Sequence, residues 1–372
     1  MKDYRLNEVK ELHVYGRTSG ITQPLTLFWT ASGIEVNVKA TELWIEVEVD
    51  FDLYEPWISI SIDGAVVSRQ MLVKGRYYLP IMRQMDADTM RNIRILREVQ
   101  AMSADEKCML RIHGIRMDGE FCPIAPKAGK IEFIGDSITS GEGLVGARKE
   151  QNWNSMVFGT TRNYTVLTSD ALNLDFHVIS QSGWGTLSSW DGDPKCSIPA
   201  YYEKVCGLLT GEQNQKLGAF EMYDFDSWQP DVVVISLGTN DAGAFRQPSQ
   251  YVDESTGKLF DQKMNEDGTF DEDCVKRLQD AMVAFLGKVR HYNPTAHILW
   301  DYGMMDTALN ECIIEAVDRY SKVTGDSNVS SLEMPIVTDE TIGSRSHPGE
   351  ECHRLFAEKL RPEIAKYLKN KQ

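Results

Sequence analysis

The feature that most constrains this chain is a change of hydrophobic period at Lys130. Before it, short runs alternate between apolar and polar residues. In LWIEVEVDF, residues Ile45, Val47, Val49 and Phe51 alternate with Glu46, Glu48 and Asp50. Successive side chains of a strand point to opposite faces, so the run predicts a strand with one dry and one wet face. WISISIDGAVV repeats the pattern at Ile58, Ile60 and Ile62, then supplies a hairpin turn at Asp63-Gly64. IEVNVKA, YYLPIM, NIRILREV and CMLRIHGIRM read as further strands. Many short strands with turn signals and little helix predict a β-sandwich of the jelly-roll kind over residues 1–126. A short polar connector with Pro123, Pro126 and Gly129 follows.

After Lys130 apolar strands alternate with helical stretches. The predicted strands are KIEFIG, FHVISQ, DVVVISLG, HILWDYG and MPIVT. Most are apolar throughout, as strands buried on both faces must be. In CVKRLQDAMVAFLGKV, Val275, Leu278, Met282, Phe285 and Val289 fall at helical spacing. A last helix carries Leu355, Phe356, Leu360 and Ile364, with Pro348 near its start and Pro362 expected to kink or interrupt it. Strand-helix alternation predicts a second domain over residues 127–372, a parallel sheet with helices on both faces. The site of such a sheet lies at the carboxyl ends of its strands. The polar stretch from Ala244 to Asp273 breaks the rhythm and reads as a long loop.

The strand ends carry polar residues in a particular order. The first gives Gly135-Asp136-Ser137, the second Ser182-Gly183-Trp184-Gly185, the third Gly238-Thr239-Asn240-Asp241, and Ser346-His347-Pro348 comes late. A parallel sheet brings all four to one rim. Ser137, at a strand-to-helix turn, is then a nucleophile, and His347 the base that takes its proton and returns it to the leaving alcohol. The N–H of Ser137, the N–H of Gly185 and the side-chain amide of Asn240 are the expected oxyanion donors. Each residue has a plainer reading. Ser137 and His347-Pro348 also suit helix starts, and Asn240 and Gly185 suit turns. The ordered set favours catalysis.

GDSIT, SGWG, GTND and SHP, in this order, resemble the blocks of the SGNH (GDSL-type) hydrolase superfamily. The resemblance runs from Lys130 to the C-terminus and implies a flavodoxin-like, three-layer α/β/α domain with a parallel sheet. A β domain running straight into IEFIGDSITSGEG narrows it: this order is similar to carbohydrate esterase family 2. Those enzymes pair a jelly roll with an SGNH domain and remove acetyl groups from xylan and related saccharides. Carried over, the pattern makes Ser137 the nucleophile, His347 the base, and Gly185 and Asn240 the rest of the oxyanion hole, with Gly183 the alternative to Gly185. Trp184, Asp136 and Gly183, inside the blocks, fall on the substrate side. Trp153, Trp190 and Tyr302 are further aromatic candidates for stacking on a sugar ring, though core packing explains them as well.

One position departs from the superfamily. Three residues before the His it has Asp, and this chain has Ser344. Something must orient His347, because such a carboxylate is worth up to about 10⁴ in rate in serine proteases. Asp339 or Glu340 is one source. A backbone carbonyl near Ser344 is another, as in the Ser-His dyads of carbohydrate esterase family 2. An impaired centre is the third.

Bulk properties narrow the partners. The formal net charge of −16 argues against nucleic acid or an anionic membrane surface. The first residues, MKDYRLNEVKELHVYGRT, spread charge throughout, and no apolar run is long enough to span a bilayer. The seven Cys are odd in number, scattered and without CxxC, which fits reduced thiols in a cytoplasm. No G-x-G-x-x-G or Walker A occurs and the His residues show no metal spacing, so no cofactor or metal is expected. The expected partner is an acetylated oligosaccharide, with no nucleic acid or membrane. The competing readings are a lipid or thioester acylhydrolase, a carbohydrate-binding protein with a degenerate hydrolase domain, and a metal phosphoesterase.

Overall fold

The protein is described by a computed structural model covering residues 1–254 and 256–368. It divides into two compact units. The first contains Met1–Lys127, Asn152–Thr161 and Glu203–Tyr223; the second contains Ala128–Gln151, Arg162–Tyr202 and the chain from Asp224 onward.

The first unit holds two antiparallel sheets. One runs in the order Lys2–Arg5, Met109–Met117, Leu43–Asp50, Gly75–Met82. The other runs Glu120–Cys122, Gly33–Lys39, Arg91–Arg97, Trp57–Ile62, Ala65–Met71. The alternation does what the period demands: Leu43, Ile45, Val47 and Val49 are buried with Ile34, Val36, Ile93, Ile95 and Ile112 in one core. Phe51 lies just past the strand end and packs on that core only partly buried.

Two later segments complete this unit, so a cut at 126/127 leaves chain with the wrong domain. Val157 and Phe158 share a buried cluster with Val99, Met102 and Cys108. Thr160 Oγ1 donates to buried Glu98 at 2.6 Å, and Trp29 Nε1 donates to the Val205 carbonyl at 2.6 Å. Buried polar groups must be paired, and these find partners far along the chain, which no local pattern announces.

The second unit is a parallel sheet of five strands: β1 (Gly129–Gly135), β2 (Leu174–Ser180), β3 (Val232–Ser236), β4 (His297–Tyr302) and β5 (Val329–Glu333). Their order is β2-β1-β3-β4-β5, that of a flavodoxin-like sheet. Helices cover both faces. Register pairs Phe133 with Val234 and Leu299, but Ile134 with Ile235 and Trp300. Phe133 and Trp300 therefore point to opposite faces. Phe133 packs on Tyr164 of α2 (Tyr164–Ala171), and Trp300 on Phe285 of a long helix over Glu272–Tyr292.

Three expectations change here. The fifth strand is VSSLE, not MPIVT; it lies at the sheet edge, half-exposed, and so lacks the apolar run used to find strands. The final helix, Glu350–Leu368, continues through Pro362. The polar stretch after Ala244 is not all loop: Val252–Asp253 and Lys258–Leu259 pair as a small hairpin.

Candidate functional site

Strand β1 ends at Gly135, and a single helical turn, α1 (Ser137–Ser140), begins at once. Asp136 caps it, its Oδ1 accepting from the Ile138 N–H at 3.0 Å. Ser137 is thereby lifted off the end of the sheet with only 5% of its surface exposed. Its Oγ lies 2.9 Å from His347 Nε2. One turn sums few peptide dipoles, so individual N–H groups rather than a helix macrodipole must stabilise charge here.

His347 is held from its other nitrogen. Nδ1 lies 2.8 Å from the carbonyl oxygen of Arg345, which fixes Nδ1 as the protonated nitrogen and leaves Nε2 to accept from Ser137. The carbonyl is aimed by two successive left-handed residues, Arg345 at φ 57° and Ser346 at φ 55°. Such conformations cost about 1–2 kcal/mol each outside glycine. Local bonds hold them: Arg345 N–H donates to Glu150 O at 2.8 Å, Ser344 N–H to Gly143 O at 3.0 Å, and Ser344 Oγ to Val145 O at 2.7 Å. Ser344, where the superfamily has Asp, ties the loop down instead of touching the imidazole.

Asp339 does not orient His347. Its side chain is 97% exposed and its nearest cation is Arg148, at 3.9 Å. Glu340 is exposed as well. Of the sources weighed from sequence, the structure supplies the backbone carbonyl.

Asn240 stands in the first turn of α3 (Thr239–Phe245), at the end of β3. Its Nδ2 donates to Trp184 O at 3.0 Å and to Asp136 Oδ2 at 3.2 Å. Three of the four blocks thus meet through one amide. The Gly185 N–H is not open to a substrate, because it donates to Ser188 O at 2.9 Å. Gly185 is needed for another reason: a Cβ there would lie 2.6 Å from Asp241 Oδ2. The buried Asp241 carboxylate accepts from Thr186 N–H at 2.8 Å and Leu187 N–H at 2.9 Å, which folds this turn. Gly183, at φ +81°, has no acceptor for its N–H among the described residues.

Asp136 does not face substrate. It is 1% exposed, and both its oxygens accept hydrogen bonds from within the unit. Burial lifts its carboxyl to about 7 against the pull of the Ile138 N–H, with Asp241 and Glu142 adding like charge. Burial likewise lifts Asp241 to about 6, and Asp301 of β4 to about 7.

The aromatic candidates separate by burial. Trp184 is partly exposed and packs against Tyr201, ring centroids 5.2 Å apart. Trp190 is 50% exposed, and its Cδ1 lies 3.2 Å from where a Gly183 Cβ would be. Tyr302 is buried with its hydroxyl donated to Asp306, and Trp153 packs between Tyr54 and Phe158 in the first unit.

Two residues escaped the sequence reading. Glu142 sits between Gly141 and Gly143, its side chain 3% exposed, and accepts from Arg345 Nε at 3.1 Å. The signal is an acid flanked by two glycines just past the helical turn that carries the nucleophile. Gly143, at φ +80°, permits the close approach, since a Cβ there would lie 2.4 Å from His347 Cβ.

Residues 133–354 match the model of the GDSL-like Lipase/Acylhydrolase family. The structure is similar to that of an acetyl xylan esterase (Est2A) from the rumen bacterium Butyrivibrio proteoclasticus, 40% identical over 99% of each chain with a TM-score of 0.96. It shares its fold with a family two carbohydrate esterase from Clostridium thermocellum solved with cellohexaose, 23% identical over 96% of this chain and 99% of that one, TM-score 0.77. A curated relative, the cellulase/esterase CelE of Acetivibrio thermocellus, is 27% identical over 91% of this chain, which spans only 37% of that relative's length.

Proposed function

This chain belongs to the GDSL-like lipase/acylhydrolase family, and from that premise we propose that it is a serine esterase removing acetyl groups from acetylated saccharides, of the xylan or xylo-oligosaccharide class. The observation that carries the reading is the line Ser137 Oγ, His347 Nε2, His347 Nδ1, Arg345 O, with contacts of 2.9 and 2.8 Å at its two ends. The 40% identity to an acetyl xylan esterase along the whole chain supports the acetyl-sugar substrate.

In this reading Ser137 Oγ attacks the acetyl carbonyl while Nε2 of His347 takes its proton. The Arg345 carbonyl keeps the imidazole in the right tautomer and orientation. The tetrahedral oxyanion is received by the N–H groups of Ser137 and Gly183 and by the Asn240 amide, which shifts from Trp184 O and Asp136. His347 then gives its proton to the departing sugar hydroxyl, leaving acetyl on Ser137. Water, deprotonated by His347, releases acetate by the reverse sequence. Trp190, half-exposed beside Gly183, is the aromatic surface best placed for a sugar ring, with Trp184 behind it.

Seven free thiols support a reducing cytoplasm as the working place. No helix among the described residues is long and apolar enough to cross a membrane.

The test is acetate release from acetylated xylo-oligosaccharides by the wild type beside Ser137→Ala. Release by the wild type alone supports the reading. Release by neither rejects the sugar acetate, and an aryl ester series of rising acyl length then separates a lipid or thioester acylhydrolase from a protein without esterase chemistry.

A further inference from the structure

Burying a carboxylate is costly unless it is paired, and Glu142 is buried beside the one side chain whose charge must change during catalysis. Its Oε1 accepts from Arg345 Nε at 3.1 Å and lies 3.9 Å from His347 Nε2. Its own N–H donates to Ser137 O at 2.9 Å, so it is fixed to the nucleophile's turn. Arg345 is gripped at three points: its N–H by Glu150 O, its Nη1 by Gln151 O at 2.6 Å, and its Nε by Glu142. The carbonyl between those grips holds His347 Nδ1. The residue that orients the base is therefore itself oriented by the acid that faces the base.

We propose that Glu142 is the positioning carboxylate of this centre: through Arg345 it fixes the carbonyl that holds His347, and its charge faces the imidazolium formed when His347 takes the Ser137 proton. Rather than accepting from Nδ1, as the usual Asp does, it acts through a cation on one side and through space on the other. This rests on the esterase reading for its catalytic meaning and on geometry alone for its electrostatic one.

The charged and titratable groups bearing on His347 are few. Glu142 faces it from the turn after α1, and Arg345 from its own loop. His353 acts from the final helix, where burial lowers it to about 3 and so keeps it neutral. Asp136 lies within electrostatic reach of Glu142 from the start of α1. Removing the anion disfavours imidazolium; removing the cation favours it. The two changes therefore shift the acid limb of the rate in opposite directions, which loosened packing does not do.

The experiment is the pH profile of kcat/KM on an aryl acetate for the wild type, E142Q, E142D and R345N; Asn tolerates the left-handed backbone at 345. In E142Q kcat falls about tenfold at constant KM, and the acid limb moves down by about one pH unit. In R345N kcat falls and the limb moves up. E142D, which keeps the charge, holds the limb near its wild-type position. The titration of the His347 ring, followed by NMR on histidine-labelled protein and assigned with H347N, shows the same opposed displacements without turnover. Loss of rate with unmoved limb and unmoved ring titration, or displacement in the same direction for both variants, overturns the proposal. A wild type that hydrolyses no aryl acetate defeats the esterase reading alone, because the ring titration still decides whether Glu142 and Arg345 act on His347.

Discussion

The imidazole of His347 is oriented by the main chain of Arg345, two residues before it, across a 2.8 Å contact from Nδ1 to the carbonyl oxygen. A carbonyl carries a partial charge and no titration of its own. It fixes the tautomer as well as a carboxylate does, while the charge that steadies the imidazolium must come from elsewhere.

Asp339→Asn and Glu340→Gln, singly or together, leave kcat within about twofold of wild type, because both side chains lie in solvent away from the ring. His347→Ala removes the base and costs the larger factor associated with a catalytic dyad, about 10⁴ or more. Steady-state rates at saturating substrate check both. A large loss in D339N would return Asp339 to the centre.

Asn240→Ala lowers kcat by about 10²–10³ with little change in KM, the usual cost of an oxyanion donor. The variant also loses the links to Trp184 O and Asp136, so its thermal midpoint must be measured beside its rate. A rate loss no larger than the fraction unfolded explains would sink the assignment.

Gly143→Ala disables the enzyme through geometry. The new methyl lies 2.4 Å from His347 Cβ and 2.5 Å from Ser344 O, at φ +80°. The loop carrying His347 must retreat, and a displacement of about 1 Å costs about 10² in rate. The check is kcat together with the thermal midpoint. Unchanged kcat would mean that the two turns do not need this contact.

Asp301→Asn stabilises the fold more at about pH 8 than at about pH 5. Burial raises the Asp301 carboxyl to about 7, aided by the charge of Asp136, and neither of its oxygens has a hydrogen-bond partner among the described residues. A raised value means that the folded protein holds a proton the unfolded chain has released, so stability falls as pH rises from about 4 through 7. Asn removes that loss, because it carries no charge at any pH. Thermal unfolding at the two pH values reads the difference, and an equal effect at both would reject the buried-charge account.

The strands of both units were legible wherever burial imposed a period. Ile45, Val47 and Val49 alternate because one face is dry, and VVVIS of β3 is apolar throughout because both faces are covered. The edge strand VSSLE carries no such signal, since an edge is half-wet and needs no apolar run. The segments around Phe158 and Val205 join the first unit through bonds from Thr160 to Glu98 and from Trp29 to Val205, which leave no trace in local pattern.

At the site, residue identity and order are enough to set the chemistry of the participants. Ser137, His347 and Asn240 stand where strands end, and a parallel sheet brings strand ends together whatever the loops do. Which neighbour each one uses follows from how the loops fold against one another. Gly185 lost its donor to Ser188 O, Asp136 turned inward to cap Ser137's helical turn, and the partner of His347 proved to be a carbonyl set by two left-handed residues. Periodicity records which face is buried, and that is a property of residue type. The direction of an N–H or a carbonyl is a property of φ and ψ, settled here by hydrogen bonds between the Ser137 turn and the His347 loop, which are 210 residues apart.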